Sequence, residues 1–174
     1  MTQLSTIADS YFTRYRYPDW LRTHSLLVGR LAARLARARA ERDGRCDPRV
    51  VELGGYLHDI GKSPLLSGDE RGHHVLGPLV LQAEGLGELA ELSRRHPVYA
   101  PLDPSTAPRT VDEKIVYYAD RRAGLSVMGL EERMAEQDVR HPGFEPLRAA
   151  ELAAARQVEI ELFAGLGFGP GDLA

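Results

Sequence analysis

Apolar residues recur along this chain at three- and four-residue intervals rather than in strict alternation, so the elements it predicts are helices. Leu21, Val28, Leu31 and Leu35 make one stripe of a helix over about 20–41, with Asp19 as its cap and Arg30, Arg34 and Arg37 on the opposite side. Asp47 followed by Pro48 predicts a helix start with proline at the first helical position, and that helix runs toward Ile60. "HHVLGPLVLQAEG" reads as a third helix and "GELAELSRRHP" as a fourth, stopped by Pro97. The proline-rich "PVYAPLDPSTAPR" is the clearest long loop. Thr110 and Glu113 form a capping-box pattern that opens "TVDEKIVYYADRRAG". A short helix near 130–139, a longer one near 146–164 and a frayed glycine-rich tail over 165–174 complete the chain. No internal repeat and no strand pattern emerges. The expected fold is all-α, a compact helical bundle of about six to eight helices.

Composition changes this picture little. The 174 residues suit one domain with a real core, 43% of them hydrophobic and 27% charged. A net charge of −3 gives no reason to expect general nucleic-acid binding. Arginine outnumbers lysine 20 to 2, which makes Lys62 and Lys114 distinctive choices. Cys46 stands alone, excluding an internal disulfide and a thiolate metal cluster and fitting a reducing cytoplasm. No apolar run reaches the length of a membrane span and the N-terminus lacks a signal-peptide core, so a cytoplasmic location without membrane attachment is expected.

Candidate chemistry comes from where the histidines fall. His24 lies on the apolar stripe of its helix with Leu21, Val28 and Leu31, and His58 shares a face with Val51 and Gly54. Asp59 follows at about 100° around the helix, so the adjacent pair can bracket one ion from two directions. His73 lines up with Leu76, Gly77 and Val80, and His96 with Leu89, Leu92 and Ser93. Asp120 follows the apolar run "IVYYA". Taken singly, each could be a hydrogen-bonded core residue or a helix cap. Burying four imidazoles and two carboxylates without partners is costly, and one divalent cation satisfies them together. Imidazole and carboxylate ligands without thiolate suit Fe, Mn, Co or Ni, with Zn a further candidate.

These residues resemble the HD-domain superfamily of metal-dependent phosphohydrolases, specifically its small single-domain HDIG type. "HDIGK" at 58–62 matches the naming motif. The order His24, then His58 with Asp59, then His73 followed by Gly77, then His96, then Asp120 within "EKIVYYADR" follows the same pattern. The likeness covers about 20–123 within one domain spanning 1–174, and leaves the C-terminal helices over about 128–164 unassigned. It implies a first metal held by His24, His58, Asp59 and Asp120. In two-metal relatives the same aspartate bridges, so Asp59 would also meet a second ion held by His73 and His96. His74 is the alternative to His73 if the helix register slips, while His141 in "RHPGF" reads as a turn or surface residue. The short spacing between Asp59 and His73 and the "HPVYAP" context depart from the dinucleoside tetraphosphate hydrolases of that superfamily. Nothing resembles the second domain of its alarmone hydrolases or dNTP triphosphohydrolases.

The expected function is hydrolysis of a phosphomonoester or phosphodiester, as of a nucleotide, by a metal-activated water. Asp59 and Asp120 are the candidates to orient the nucleophile or accept its proton, and Lys62 the candidate to meet the phosphate. Arg94, Arg95, Arg121 and Arg122 flank predicted ligands and are candidate substrate-binding groups, while Ser63 and Ser67 are placed to line the mouth. A di-iron oxygenase uses a comparable ligand set, and a non-catalytic nucleotide-binding module is the third alternative. The partner expected is a small phosphorylated substrate, with the protein a monomer or homodimer.

Overall fold

The computed structural model describes residues 3–140, 143 and 145–173. Its α-helices are α1 (Gln3–Arg14), α2 (Asp19–Asp43), α3 (Pro48–Leu57), α4 (His73–Ala83), α5 (Ala90–Arg94), α6 (Val111–Arg122), α7 (Leu130–Arg140) and α8 (Arg148–Phe163). Short 3-10 turns link several of them, and among the described residues there is no strand, only an isolated bridge between Ala123 and Val127. The fold is all-α. His141 lies outside the described residues.

Local signals set most boundaries. The Asp47 side chain accepts from the amides of Arg49 and Val50, and Thr110 and Glu113 form the full capping box that starts α6. The long helix differs at its start: Pro18 holds the cap position, and Asp19 sits in the first turn, where its charge favours the helix dipole without capping an amide. The fourth predicted helix shortens to α5 behind a 3-10 turn at Gly87–Leu89. Two elements were not anticipated. Helix α1 buries Ala8 and Phe12 in the core. The tail expected to fray is instead packed, with Leu173 1% exposed and Pro170–Leu173 in a 3-10 turn. Its anchors are long-range: Arg39 Nη1 donates to the Ala164 carbonyl at 3.0 Å, Arg42 Nε to the Gly165 carbonyl at 3.1 Å, and Arg122 to the Pro170 carbonyl.

The core is one apolar cluster to which all eight helices contribute, Leu81 from α4 and Leu92 from α5 included, with Tyr117, Tyr118, Phe12 and Leu35 among the largest fully buried side chains. At its centre α2 and α3 pack almost backbone to backbone. A Cβ at Gly55 would lie 2.9 Å from the Gly29 Cα, and one at Gly29 would fall inside the Tyr56 ring. This close crossing brings the C-terminal end of α3 against the first half of α2. Gly55→Val forces these helices apart and should lower stability by about 1–3 kcal/mol, read as a reduced Tm in thermal melts. A melt coincident with wild type would show that the crossing is not tight.

Candidate metal centre

Helices α2 to α6 each deliver a side chain to one buried point. His24 projects from α2 and Asp120 from the last turn of α6. Helix α3 ends at Leu57, earlier than the apolar pattern predicts, so His58 caps it and Asp59 leaves helical geometry at φ −100°, ψ 19°. The chain then turns through Ile60–Lys62, where the Lys62 and Ser63 amides bond to the carbonyls of Asp59 and Ile60. Gly61 permits the arrival of α4: a Cβ there would stand 2.2 Å from the His73 carbonyl oxygen. Gly77, one turn into α4, leaves room for Ser93, whose hydroxyl donates to the His58 carbonyl at 2.7 Å. His96 follows α5 just after its cap residue, Arg95.

The geometry centres on Asp59, which is fully buried. Its Oδ1 lies 3.1 Å from His96 Nε2 and 3.6 Å from His73 Nε2. Its Oδ2 lies 3.3 Å from His58 Nε2 and 3.7 Å from His24 Nε2, with Lys62 Nζ donating at 2.7 Å. Asp120 Oδ1 stands 3.1 Å from His24 Nε2 and 3.8 Å from His58 Nε2, while Arg121 pairs with its Oδ2. Two overlapping sets could hold an ion: His24, His58 and Asp120, and His58, Asp59 and His96, the donor atoms of each within 4.8 Å of one another. His73 stands at the open side of the second set, 31% of its side chain exposed. His74 turns away and meets Tyr99, whose hydroxyl lies 3.1 Å from its Nδ1.

Hydrogen bonds on the far side of two rings decide what faces Asp59. His58 Nδ1 donates to the Gly55 carbonyl at 2.8 Å, and His96 Nδ1 to the Ser93 carbonyl at 2.6 Å. A carbonyl only accepts, so the proton of each neutral ring sits on Nδ1 and the Nε2 lone pair points inward. Burial pushes the His96 and His73 imidazoles below their ordinary pKa, keeping them neutral. Burial opposes charge on His58 as well, but Asp59 and Asp120 outweigh it and raise its pKa. Burial alone would raise the Asp59 carboxyl; the Lys62 ammonium beside it overcomes this and holds it well below the usual range. Asp120 is held down likewise by Arg121, His24 and His58. Lone pairs aimed at a buried carboxylate repel it, and His58 Nε2 and Asp59 Oδ1 are buried without a hydrogen-bond partner. A divalent cation fits this donor set, because it replaces repulsion with ligation at each of these atoms.

A cleft of about 660 Å³ opens onto the centre, with His24 and Lys62 in its wall. Trp20 and Leu125 supply its apolar lining, and Arg133 and Gln137 come from α7, a helix to which the family resemblance assigns no role. The predicted substrate arginines are placed elsewhere. Arg94 pairs with Glu91 at the surface, and Arg95 is buried against Glu91 and the carbonyls of Ser105 and Ala107. Arg122 bonds to the Tyr118 hydroxyl and to backbone carbonyls, and Arg121 is buried against Asp120. Among the described residues lining the cleft, none of these four appears: Arg94 is held at the surface by Glu91, and the other three are buried against internal acceptors. Ser63 is also buried, its hydroxyl donating to the Tyr15 carbonyl at 2.7 Å, and Ser67 lies outside the cleft.

The family profile described as HD domain matches residues 21–125. The chain belongs to the HD domain family. This family is generally one of metal-dependent hydrolases of the phosphohydrolase superfamily. Among curated proteins, an uncharacterized protein of Methanocaldococcus jannaschii is 37% identical over 108 residues, which cover 56% of this chain and 62% of that relative. No solved structure matches the chain. The HD domain match takes in every histidine and carboxylate at the centre and ends before α7. No helix among the described residues is long and apolar enough to cross a membrane.

The depressed carboxyl groups have a pH consequence in metal-stripped protein. Unfolded aspartate titrates at about 3.9, above the folded values of Asp59 and Asp120. Their stabilisation is therefore complete above that pH and lost as pH falls toward the folded values. Melts of chelator-treated protein taken down from about pH 6 should lose Tm more steeply than those of Asp59→Asn. Parallel profiles would show that Asp59 is not held ionised.

Proposed function

We propose that this HD domain hydrolyses a phosphomonoester or phosphodiester, as of a nucleotide, in the cytoplasm. The observation that carries the reading is the buried Asp59 carboxylate with imidazoles at both oxygens, opening on a cleft that also holds Lys62. In this reading His24, His58, Asp59 and Asp120 hold one divalent transition metal, and Asp59, His73 and His96 hold a second. Bound there, such an ion polarises a phosphoryl oxygen and activates a water as nucleophile. Asp120 keeps His24 oriented, and Arg121 keeps Asp120 ionised and fixed. Lys62 bridges the site and the cleft: its ammonium, 2.7 Å from Asp59 in the protein alone, is free to turn to a phosphate once a cation answers that carboxylate.

Purified protein should contain Mn, Fe, Co, Ni or Zn, and Asp59→Ala should remove more metal than any other single change, since in this reading Asp59 alone meets both ions. Metal analysis checks this, with full occupancy in the variant as the contrary result. Phosphate should be released anaerobically from members of a panel of phosphate esters supplied with Mn²⁺, Co²⁺ or Ni²⁺. An absence of release, or release that needs oxygen, overturns the hydrolase reading. On the first substrate found, Lys62→Ala should retain metal and fold yet lose roughly ten- to a hundredfold in kcat/KM, the worth of one charge-assisted contact. A value within twofold of wild type would mean that Lys62 serves Asp59 alone.

A further inference from the structure

Arg122 stands at the end of α6, two residues past Asp120, and its buried guanidinium bonds to neither the metal donors nor the cleft. Its Nε donates to the Met128 carbonyl, its Nη1 to the Tyr118 hydroxyl, and Nη1 and Nη2 to the Pro170 carbonyl at 3.2 and 3.1 Å. The Tyr118 hydroxyl donates in turn to Glu159 of α8. Met128, Glu159 and Pro170 all lie beyond the family match, which ends at residue 125. One side chain thus joins the family core to three segments that follow it.

The first of these segments reaches the cleft. The Met128 amide donates to the Arg122 carbonyl at 2.8 Å, so the backbone and guanidinium of one residue hold both backbone polar groups of Met128. Between them Ala123 and Val127 form the isolated bridge, and the Gly124 amide donates to the Ser126 carbonyl at 3.0 Å. This tight turn carries Gly124 and Leu125 into the cleft wall. Leu125 is 65% exposed, so its place depends on the base of the turn rather than on packing of its own side chain.

We infer that Arg122 is a positioning residue through which the C-terminal tail sets the grip of the cleft on substrate. Pro170 belongs to the 3-10 turn Pro170–Leu173, which buried Leu173 anchors. While that turn is seated, its carbonyl takes both terminal nitrogens, and the planar guanidinium is fixed with Nε aimed at Met128. If the tail lifts, those two bonds go and a buried cation is left to turn toward Glu159, 3.8 Å from its Nη1. Met128 then loses its partner and the turn loosens. The metal donors stand outside this linkage, because Asp120 is held by Arg121 and His24. The effect on substrate rests on the hydrolase reading, but the linkage itself does not.

Two variants break the linkage at opposite ends. Leu173→Asp expels the tail and leaves Arg122 intact. Arg122→Lys keeps the charge, but a single nitrogen cannot span Met128, Tyr118 and Pro170. Hydrogen exchange resolved to single amides should show Gly124 and Met128 exchanging about tenfold faster in both variants, with the interior amides of α3 unchanged. Metal content should match wild type. With p-nitrophenyl phosphate as the probe, KM should rise about three- to tenfold while kcat stays within about twofold. Faster exchange confined to the tail in Leu173→Asp, or spread evenly over the chain in both variants, overturns the linkage, as does a fall in kcat at unchanged KM. If no phosphate ester is turned over, the hydrolase reading fails and the exchange data still decide the linkage. If wild type turns over esters while Gly124 and Met128 keep their protection in both variants, the linkage fails and the hydrolase reading stands.

Discussion

A carboxylate taken fully out of water and ringed by imidazole nitrogens is the constraint on which the rest of this molecule depends. Asp59 has no solvent to answer its charge, and the His58 and His96 rings beside it present lone pairs. Lys62 answers one oxygen in the protein alone; the other has no hydrogen-bond partner. Removing a charge from water is tolerated only where the surroundings supply compensating charge with good geometry. Five helices, from α2 to α6, converge on that requirement, and the apolar cluster beneath them holds the convergence in place.

The small residues serve that convergence. Gly29 and Gly55 let α2 and α3 touch, which sets His24 beside His58. Gly61 and Gly77 let the start of α4 lie against the turn after Asp59 and against Ser93, which puts His73 beside His96. Ser93 then joins both halves: its hydroxyl holds the His58 carbonyl and its carbonyl orients the His96 ring. The glycine of the "HDIG" stretch thus acts through backbone approach rather than chemistry.

Much of this was legible in the sequence, for a physical reason. Helical periodicity placed His24, His58, His73 and His96 on faces that had to be buried, and burial of several polar groups together points to a shared partner. The choice between His73 and His74 came only from the histidine-x-x-x-glycine spacing of the resemblance and stayed open to a register slip; the structure turns His73 toward Asp59 and His74 toward Tyr99. The fates of the arginines were not legible. Sequence neighbours of a ligand point in many directions, and the acceptors of Arg95 and Arg122 come from distant or irregular backbone. The cleft wall from α7 escaped notice because a pocket is made by segments far apart in the chain. The tail misled through its glycines, whose local freedom says nothing of the contact that buries Leu173.

The bonds from His58 and His96 to carbonyls three residues earlier have a consequence for how an ion enters. Each ring is tethered to the backbone at the end of its own helix, so its rotation is arrested when the helix forms and not when metal arrives. The conformational entropy of ordering those ligands is then charged to folding. Capture of an ion would leave the rings where they were, and the main obstacle remaining would be to strip water from the ion itself. A site built this way discriminates among cations by how readily they shed their hydration shells and accept fixed angles, rather than by reshaping itself around each one.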